Sequence, residues 1–170
     1  MRDRLAAFNT LSAEEAAAEL LKCCGSRMWA HALAAHRPFD SEGELLETAD
    51  QIWWALGPED WLEAFSHHPK IGEKRAAPKQ SLEAARWSAE EQAAVAKAAE
   101  EKLEKLAHLN RVYLDRFGFI FIVCATGKTT EEMLALLEER LGNEPEMELR
   151  IAAEEQRRIT HLRLRKLLQL

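Results

Sequence analysis

Two adjacent histidines and one carboxylate are the residues in this 170-residue chain best suited to proton transfer. His67 and His68 directly precede Pro69, where a helical pattern gives way to an irregular stretch. Imidazole titrates near neutral pH, so it readily takes up or gives a proton. Glu91 follows at the start of the next helical pattern, where a helix N-terminus also favours anions. These residues predict an acid–base site that combines a histidine with a carboxylate.

Glu91 also has a purely structural interpretation. Ser88 and Glu91 have the spacing of a capping box, in which the two side chains satisfy backbone amides of a first helical turn. The sequence alone supports the capping role and the catalytic role about equally, and both stay open at this point.

Metal and thiol chemistry have weaker support. The six histidines form no HExxH pair, which predicts no metal, although a composite site from distant residues stays open. The three cysteines, Cys23, Cys24 and Cys124, contain no CxxC spacing. This pattern indicates a reducing compartment and argues against a disulfide framework or a structural zinc.

The elements that position these residues are predicted to be helices. The chain has 28 Ala and 24 Leu but only 3 Val and 6 Ile, and the first two enter helices at little cost while the last two favour strands. We therefore predict an all-α fold of about eight or nine helices, with no internal repeat and no linker, as one domain over residues 1–170. Serine or threonine caps mark several helix starts, at Ser12, Ser26, Ser41 and Thr129 or Thr130.

One short segment departs from this helical pattern. Residues 119–125 read Phe-Ile-Phe-Ile-Val-Cys-Ala and contain three of the nine Val and Ile residues of the chain. We predict a buried extended segment here. Its backbone groups need partners outside a sheet, which makes it a candidate for holding a ligand by main-chain hydrogen bonds.

Charge and hydropathy exclude several classes of partner. The net charge is −6 and the sequence pI is about 5.6, whereas nucleic-acid binders usually carry a basic excess. No run of about 18 apolar residues is present, so we expect no membrane span. No signal peptide and no Ser-Lys-Leu peroxisomal address are visible, which leads us to expect the cytoplasm of a bacterium.

Basic residues are concentrated near the C-terminus of the last predicted helix. The simplest interpretation is a favourable interaction of cations with the helix C-terminus, with one arginine free to turn inward to an anion. An alternative is a helical interaction module that engages a partner through this helix. The residues concerned are Arg157, Arg158, Arg163, Arg165 and Lys166.

A series of short motifs runs along nearly the whole chain. The motifs are Ala49-Asp50 with Trp53, residues 65–72, Ser88-x-x-Glu91-Gln92, Asn110-x-x-Tyr113 with residues 117–124, Glu148-Leu149, Glu155-Gln156 and Leu162-Arg163-Leu164. Each motif is weak alone, but their order and spacing are specific. Together they resemble one enzyme family, that of 2-oxo-4-hydroxy-4-carboxy-5-ureidoimidazoline (OHCU) decarboxylase, the third enzyme of the urate-to-allantoin route.

The resemblance implies an all-helical, commonly homodimeric enzyme without a cofactor. Its implied reaction is the decarboxylation of OHCU to (S)-allantoin and CO2, with His68 as the acid/base assisted by Glu91. His67 is assigned a supporting role behind His68. A metal-dependent hydrolase of a related ureido compound stays open as a further alternative.

The resemblance also implies which residues bind the substrate. Gln92 would form a hydrogen bond to the ligand, the extended segment would offer main-chain groups, and Arg163 would meet a carboxylate or a ring oxygen. The implied substrate-binding residues are Pro69, Ser88, Gln92, Phe121, Ile122, Val123, Cys124, Ala125 and Arg163.

Overall fold

The structure, a computed structural model, describes the backbone of residues 2–68 and 89–169 and the side chains of residues 4–68 and 96–169. These residues form eight α-helices and no strand, which confirms the all-α prediction. None of the described helices is long and apolar enough to cross a membrane. The helices are α1 (Arg2–Thr10), α2 (Ala13–Leu21), α3 (Arg27–Ala35), α4 (Glu42–Ala55), α5 (Pro58–Ser66), α6 (Ala89–Phe117), α7 (Thr130–Arg140) and α8 (Pro145–Leu168).

The predicted capping residues start most of these helices. Ser12 forms a complete capping box at α2, and Thr129 forms one at α7. Ser26 caps α3 by accepting from the amide of Trp29. Helix α6 starts at Ala89, so its predicted cap, Ser88, lies outside the described residues.

Ser41 and Glu44 have the spacing of a capping box, which is only half formed. The Ser41 hydroxyl accepts from the Glu44 amide, as expected. The Glu44 carboxylate, however, accepts from the amide of Asp40, at 2.7 Å, and not from Ser41 itself. The Glu44 carboxylate thus satisfies the amide of Asp40, one residue before the Ser41 cap of α4.

The chain separates into two compact units, and the first contains α1–α5, residues Ile122–Cys124 and α8. Within it, α3 packs on α2, α4 and α5, while α8 contacts α1, α4 and α5. Three buried indoles tie these helices by donating to backbone carbonyls, from Trp29 to Ala49, from Trp53 to Ala153 and from Trp61 to Trp53. Helix α8 is therefore held along its length by the helices that precede it in this unit.

The second unit contains α6, α7 and residues up to Phe121. Tyr113 is its buried centre and contacts the rings of Phe117, Phe119 and Phe121. Buried Arg140 lies 4.6 Å above the Phe121 ring. Gly118 ends α6 with a φ of +79°, in the left-handed region that glycine enters without strain.

The segment predicted to be extended has neither helix nor strand hydrogen bonding. Phe119 and residues 121–124 are buried, Ile120 is half-buried and Ala125 is exposed. The prediction of a buried non-helical segment is confirmed for most of its length and is wrong for Ala125, which a turn over residues 126–127 immediately follows. A single domain over residues 1–170 stays a prediction.

Candidate functional site

The site begins at the C-terminus of α5, where His67 and His68 follow the last helical turn. Their backbone amides donate to the carbonyls of Ala64 and Phe65, which continues the turn by two residues. This places His68 half-buried, with Nε2 2.5 Å from Oε1 of Gln156 on α8. The predicted acid/base histidine is thus fixed by a side chain 88 residues away in the sequence.

Gln156 belongs to a buried chain of polar groups. Its Nε2 donates to Oγ1 of Thr160 at 3.1 Å, and the Thr160 hydroxyl donates to the Gln156 backbone carbonyl at 2.9 Å. Gln156 is fully inaccessible and Thr160 nearly so. The Thr160 side chain also lies beside the thiol of Cys24 and affects the pKa of that thiol. The side-chain amide of Gln156, which faces His68, is therefore oriented by Thr160 and not by solvent.

The surroundings of His68 lower its pKa. Burial contributes most, because a low-dielectric environment disfavours the charged imidazolium. The hydrogen bond to Gln156 acts in the opposite direction, while the positive charges of Arg163 and His67 lower the pKa further. His68 is consequently a neutral imidazole at pH 7, which is the form that accepts a proton.

Arg163 is the charged residue with the largest effect on the pKa of His68. It is half-buried, and Nη1 lies 3.5 Å from the carbonyl oxygen of Cys23. Its charge lowers the pKa of His68 and acts on the thiols of Cys23 and Cys24. No carboxylate in the described part of the chain forms an ion pair with it. Arg163 therefore has the position and the free charge to meet an anionic group.

Other cations of the same helix are already paired. Arg157 binds Asp50 and Glu154. Arg158 contacts two glutamates of its own helix, and Arg165 reaches Glu42 on α4. These ion pairs match the structural interpretation of the basic helix and weaken the case for a partner-binding surface on it.

His67 has a packing role against Gly25, in the connection between α2 and α3. A Cβ placed on Gly25 would lie 2.5 Å from Cγ of His67 and 2.7 Å from its Cβ. The absence of a side chain at Gly25 is what lets the exposed His67 ring lie there. This contact fixes the position of His67, whose supporting role behind His68 stays a prediction.

A glutamate of α8 holds the non-helical segment. The backbone amide of Cys124 donates to Oε2 of Glu155 at 2.7 Å. The adjacent residues Ile122 and Val123 are buried in the same unit. The prediction that this backbone needs partners outside a sheet is thereby met in one place by a side chain of the protein.

The structure brings some predicted site residues together and leaves others untested. His68, His67, Arg163 and residues 122–124 all belong to the first unit. Pro69 and Ser88 lie outside the described residues, as do the side chains of Glu91 and Gln92 within α6. The remaining two, Phe121 and Ala125, belong to the second unit.

The sequence analysis assigned no role to Gln156, Thr160 or Glu155. Residues 156, 160 and 163 share one face of α8, because spacings of three and four bring side chains together on a helix. The sequence signal is that Gln156 and Thr160, two uncharged polar residues, lie on the helix face that also carries buried Leu164. Their partner, His68, is not visible in the sequence.

The cysteines do not form a reactive centre. Burial raises the pKa of Cys23 to about 12 and that of Cys24 to about 11, so both remain thiols at neutral pH. All three cysteines are buried and unpaired by disulfides. The described residues contain no group of three or more His, Cys, Asp or Glu side chains that could hold a metal ion.

Comparison with known proteins gives concordant matches. A family model described as OHCU decarboxylase matches residues 9–165. A uric acid degradation bifunctional protein of Arabidopsis thaliana is 44% identical over 146 residues, which is 85% of this chain and 45% of that protein. A 2-oxo-4-hydroxy-4-carboxy-5-ureidoimidazoline decarboxylase of Haloferax volcanii is 30% identical over 128 residues, covering 75% of this chain and 73% of that protein.

A solved structure agrees with these sequence matches. It is a crystal structure of an OHCU decarboxylase in the presence of (S)-allantoin, 42% identical, with a TM-score of 0.71. The match covers 89% of this chain and 98% of that one. The chain thus spans nearly the whole of this structure but less than half of the Arabidopsis protein.

Proposed function

Because the chain belongs to the OHCU decarboxylase family, we propose that it converts OHCU to (S)-allantoin and CO2. The reaction breaks the bond between a ring carbon and its carboxylate, and a proton must then reach one face of the ring. An enzyme for it needs a group that binds an anion and a group that transfers a proton.

The observation that carries this proposal is that half-buried His68 lies within the electrostatic influence of Arg163 in the first unit. His68 is a half-buried imidazole whose pKa is lowered, so at neutral pH it is unprotonated and able to act as a base. Arg163 has no carboxylate partner among the described residues, and its charge acts on His68. A guanidinium suits a carboxylate-bearing substrate, because its planar fork matches two oxygens.

The proposed reaction uses the ring of the substrate as the electron sink. Many decarboxylases rely on pyridoxal phosphate or thiamine to stabilise the electron pair that remains when CO2 leaves. In OHCU the ring imine takes up that pair, so we include in the proposal that no cofactor is needed. The protein then has to orient the ring and deliver a proton, and orientation alone can account for much of the rate.

Residue roles that rest on the family resemblance complete the proposal. Glu91 assists His68, Gln92 forms a hydrogen bond to the ligand, and Ser88 and Pro69 contribute to binding. The backbone of residues 121–125 offers further contacts, although the Cys124 amide already donates to Glu155. The proposal also includes a homodimer and a cytoplasmic location.

The activity is tested by following allantoin formation by circular dichroism. Urate is converted in situ by urate oxidase and hydroxyisourate hydrolase, and the optical activity of the product is recorded with and without this protein. We expect rapid formation of (S)-allantoin that is insensitive to a chelator. No acceleration over the spontaneous decay of OHCU would refute the proposal, and loss of activity with chelator would favour the metal-dependent hydrolase.

A further inference from the structure

Gln156 and Thr160 form a buried polar pair that the proposed substrate-binding roles do not include. Both side chains lie in the interior of the first unit. Oε1 of Gln156 forms a hydrogen bond with His68, and its Nε2 donates to Thr160. Both ends of this amide are engaged, and its orientation depends on which of the two partners donates and which accepts.

The orientation of this amide determines where the proton of neutral His68 resides. The Thr160 hydroxyl gives its hydrogen to the Gln156 backbone carbonyl, so its oxygen can only accept from the Gln156 side chain. The NH2 group of Gln156 therefore faces Thr160, and its carbonyl oxygen faces His68. Since that oxygen has no hydrogen to give, Nε2 of His68 must carry the proton.

We infer that Gln156, oriented by Thr160, is a positioning residue that keeps the proton of His68 on Nε2 and leaves Nδ1 as the atom that transfers protons to and from the substrate. The inference rests on the proposed role of His68 in OHCU decarboxylation. Neither Gln156 nor Thr160 needs to touch the substrate for this role, because both act through the imidazole.

In the proposed reaction every proton that is taken up or released is accounted for. Loss of CO2 moves the carbon–carbon bonding pair into the ring, and the ring nitrogen that receives negative charge takes a proton from water. Nδ1 then takes the proton of the substrate's 4-hydroxyl as that group becomes a carbonyl. It returns this proton to the carbon that bears the ureido group, and His68 ends neutral with Nε2 still protonated.

Other groups near His68 do not set its tautomer, although they affect its charge. Within the described residues these are His67 from the same helix end and Arg163 from α8, both of which lower its pKa. The Cys24 thiol lies beside Thr160 and is not among the groups that shift the pKa of His68. Gln156 is the group that accepts a hydrogen bond from the ring.

The test compares Thr160→Val with Thr160→Ser. Valine has nearly the shape of threonine but no acceptor, so the Gln156 amide is free to turn its NH2 group toward Nε2. Serine retains the hydroxyl and acts as the matched control. Long-range ¹⁵N–¹H NMR of the imidazole distinguishes the two tautomers, and the His68 signals are assigned by their loss in His68→Asn.

We expect the Nε2–H tautomer in the wild type and in Thr160→Ser, and a shift toward Nδ1–H in Thr160→Val. The value of kcat/KM should fall about tenfold in Thr160→Val and stay near wild type in Thr160→Ser. A second variant, Gln156→Glu, retains an oxygen opposite Nε2 and adds a negative charge. It should keep the tautomer and move the acidic limb of the pH profile to higher pH.

Two results would overturn the inference: an Nδ1–H tautomer in the wild type, or an unchanged tautomer and unchanged kcat/KM in Thr160→Val. Failure of the proposed function is recognisable separately, because the wild type would then give no acceleration of (S)-allantoin formation over the spontaneous decay of OHCU, whatever its tautomer. The NMR measurement needs no substrate, so the two questions are answered independently.

Discussion

Burial has more influence on His68 than any single charge near it. The low-dielectric surroundings lower its pKa more than the hydrogen bond to Gln156 raises it, and the cations add to the lowering. An imidazole that stays neutral in mildly acidic solution is a usable base at physiological pH.

The pH dependence of activity follows from this lowered pKa. We expect kcat/KM to be limited by protonation of His68 only below about pH 6.5, the ordinary pKa of histidine. The measurement is a pH–rate profile together with an NMR titration of His68. A His68 pKa above 6.5 would contradict the account.

The same shift affects stability with a defined sign. The unfolded chain binds a proton at His68 at higher pH than the folded chain does, so the unfolded state gains protons first as the pH falls. The free energy of unfolding should therefore decrease below about pH 6.5, the ordinary histidine pKa, and the decrease should be smaller in His68→Asn.

Gly25 is the residue whose lack of a side chain gives His67 its place. In Gly25→Ala the new Cβ would lie within 2.7 Å of both Cβ and Cγ of His67, and the His67 Cβ cannot move without displacing the backbone that leads into His68. We expect a loss of about 1–3 kcal/mol in the free energy of unfolding, measured by urea denaturation, and a reduced kcat.

Two variants control for this steric argument. Gly43, in α4, has only Ser41 Oγ near its Cβ position, at 3.8 Å, so Gly43→Ala should be neutral or stabilising by up to about 1 kcal/mol. The double variant Gly25→Ala/His67→Ala should recover part of the lost stability. If Gly25→Ala behaves like Gly43→Ala, the close packing of His67 is refuted.

Helix ends and helix interiors differ in how far the sequence predicts them. The caps at Ser12 and Thr129 are correct because both partners lie within three residues. At Ser41 the same spacing is present, but Glu44 finds the Asp40 amide instead, a choice between adjacent amides that spacing does not decide.

Long-range partners are the part of the site that the sequence does not predict. Burial of residues 121–124 follows from their apolar side chains, but Glu155 meets the Cys124 amide across 31 residues. The link between His68 and Gln156 spans 88 residues. Such contacts depend on how α8 packs on α5, which no local pattern encodes.

The packing of α4 on α8 provides a prediction about these elements. Trp53 is buried and its indole donates to the Ala153 carbonyl at 3.0 Å, whereas the adjacent Trp54 is 44% exposed. Trp53→Phe removes both the hydrogen bond and part of the packed volume. We expect it to lower the free energy of unfolding by about 2 kcal/mol, as measured by urea denaturation.

Trp54→Phe is the matched control, because it makes the same chemical change on the exposed side of the helix. It should cost no more than about 0.5 kcal/mol. Equal effects of the two substitutions would show that the indole of Trp53 does not tie α4 to α8.

For the whole molecule, local and global charge act in opposite directions. The chain carries a net charge of −6, which repels an anionic substrate at long range. Arg157, Arg158 and Arg165 are committed to ion pairs, so they add little attraction. Arg163, whose charge acts on His68, is therefore the residue of α8 that we expect to attract an anionic substrate locally.

This chain covers very different shares of its relatives. The chain corresponds to 98% of a crystallised OHCU decarboxylase but to 45% of a bifunctional Arabidopsis protein. The decarboxylase family accounts for residues 9–165. We assign the proposed decarboxylation to these residues and propose His68 as its acid/base.

The most direct test of that claim is the rate of (S)-allantoin formation from OHCU by His68→Asn, followed by circular dichroism. His31→Asn, at an exposed position of α3, is the control for loss of a histidine. We predict that kcat/KM falls about 100-fold or more in His68→Asn with helicity unchanged, because general acid–base catalysis contributes at least that much. His31→Asn should retain wild-type activity. An undiminished rate in His68→Asn would contradict the assignment of the proton transfer to His68.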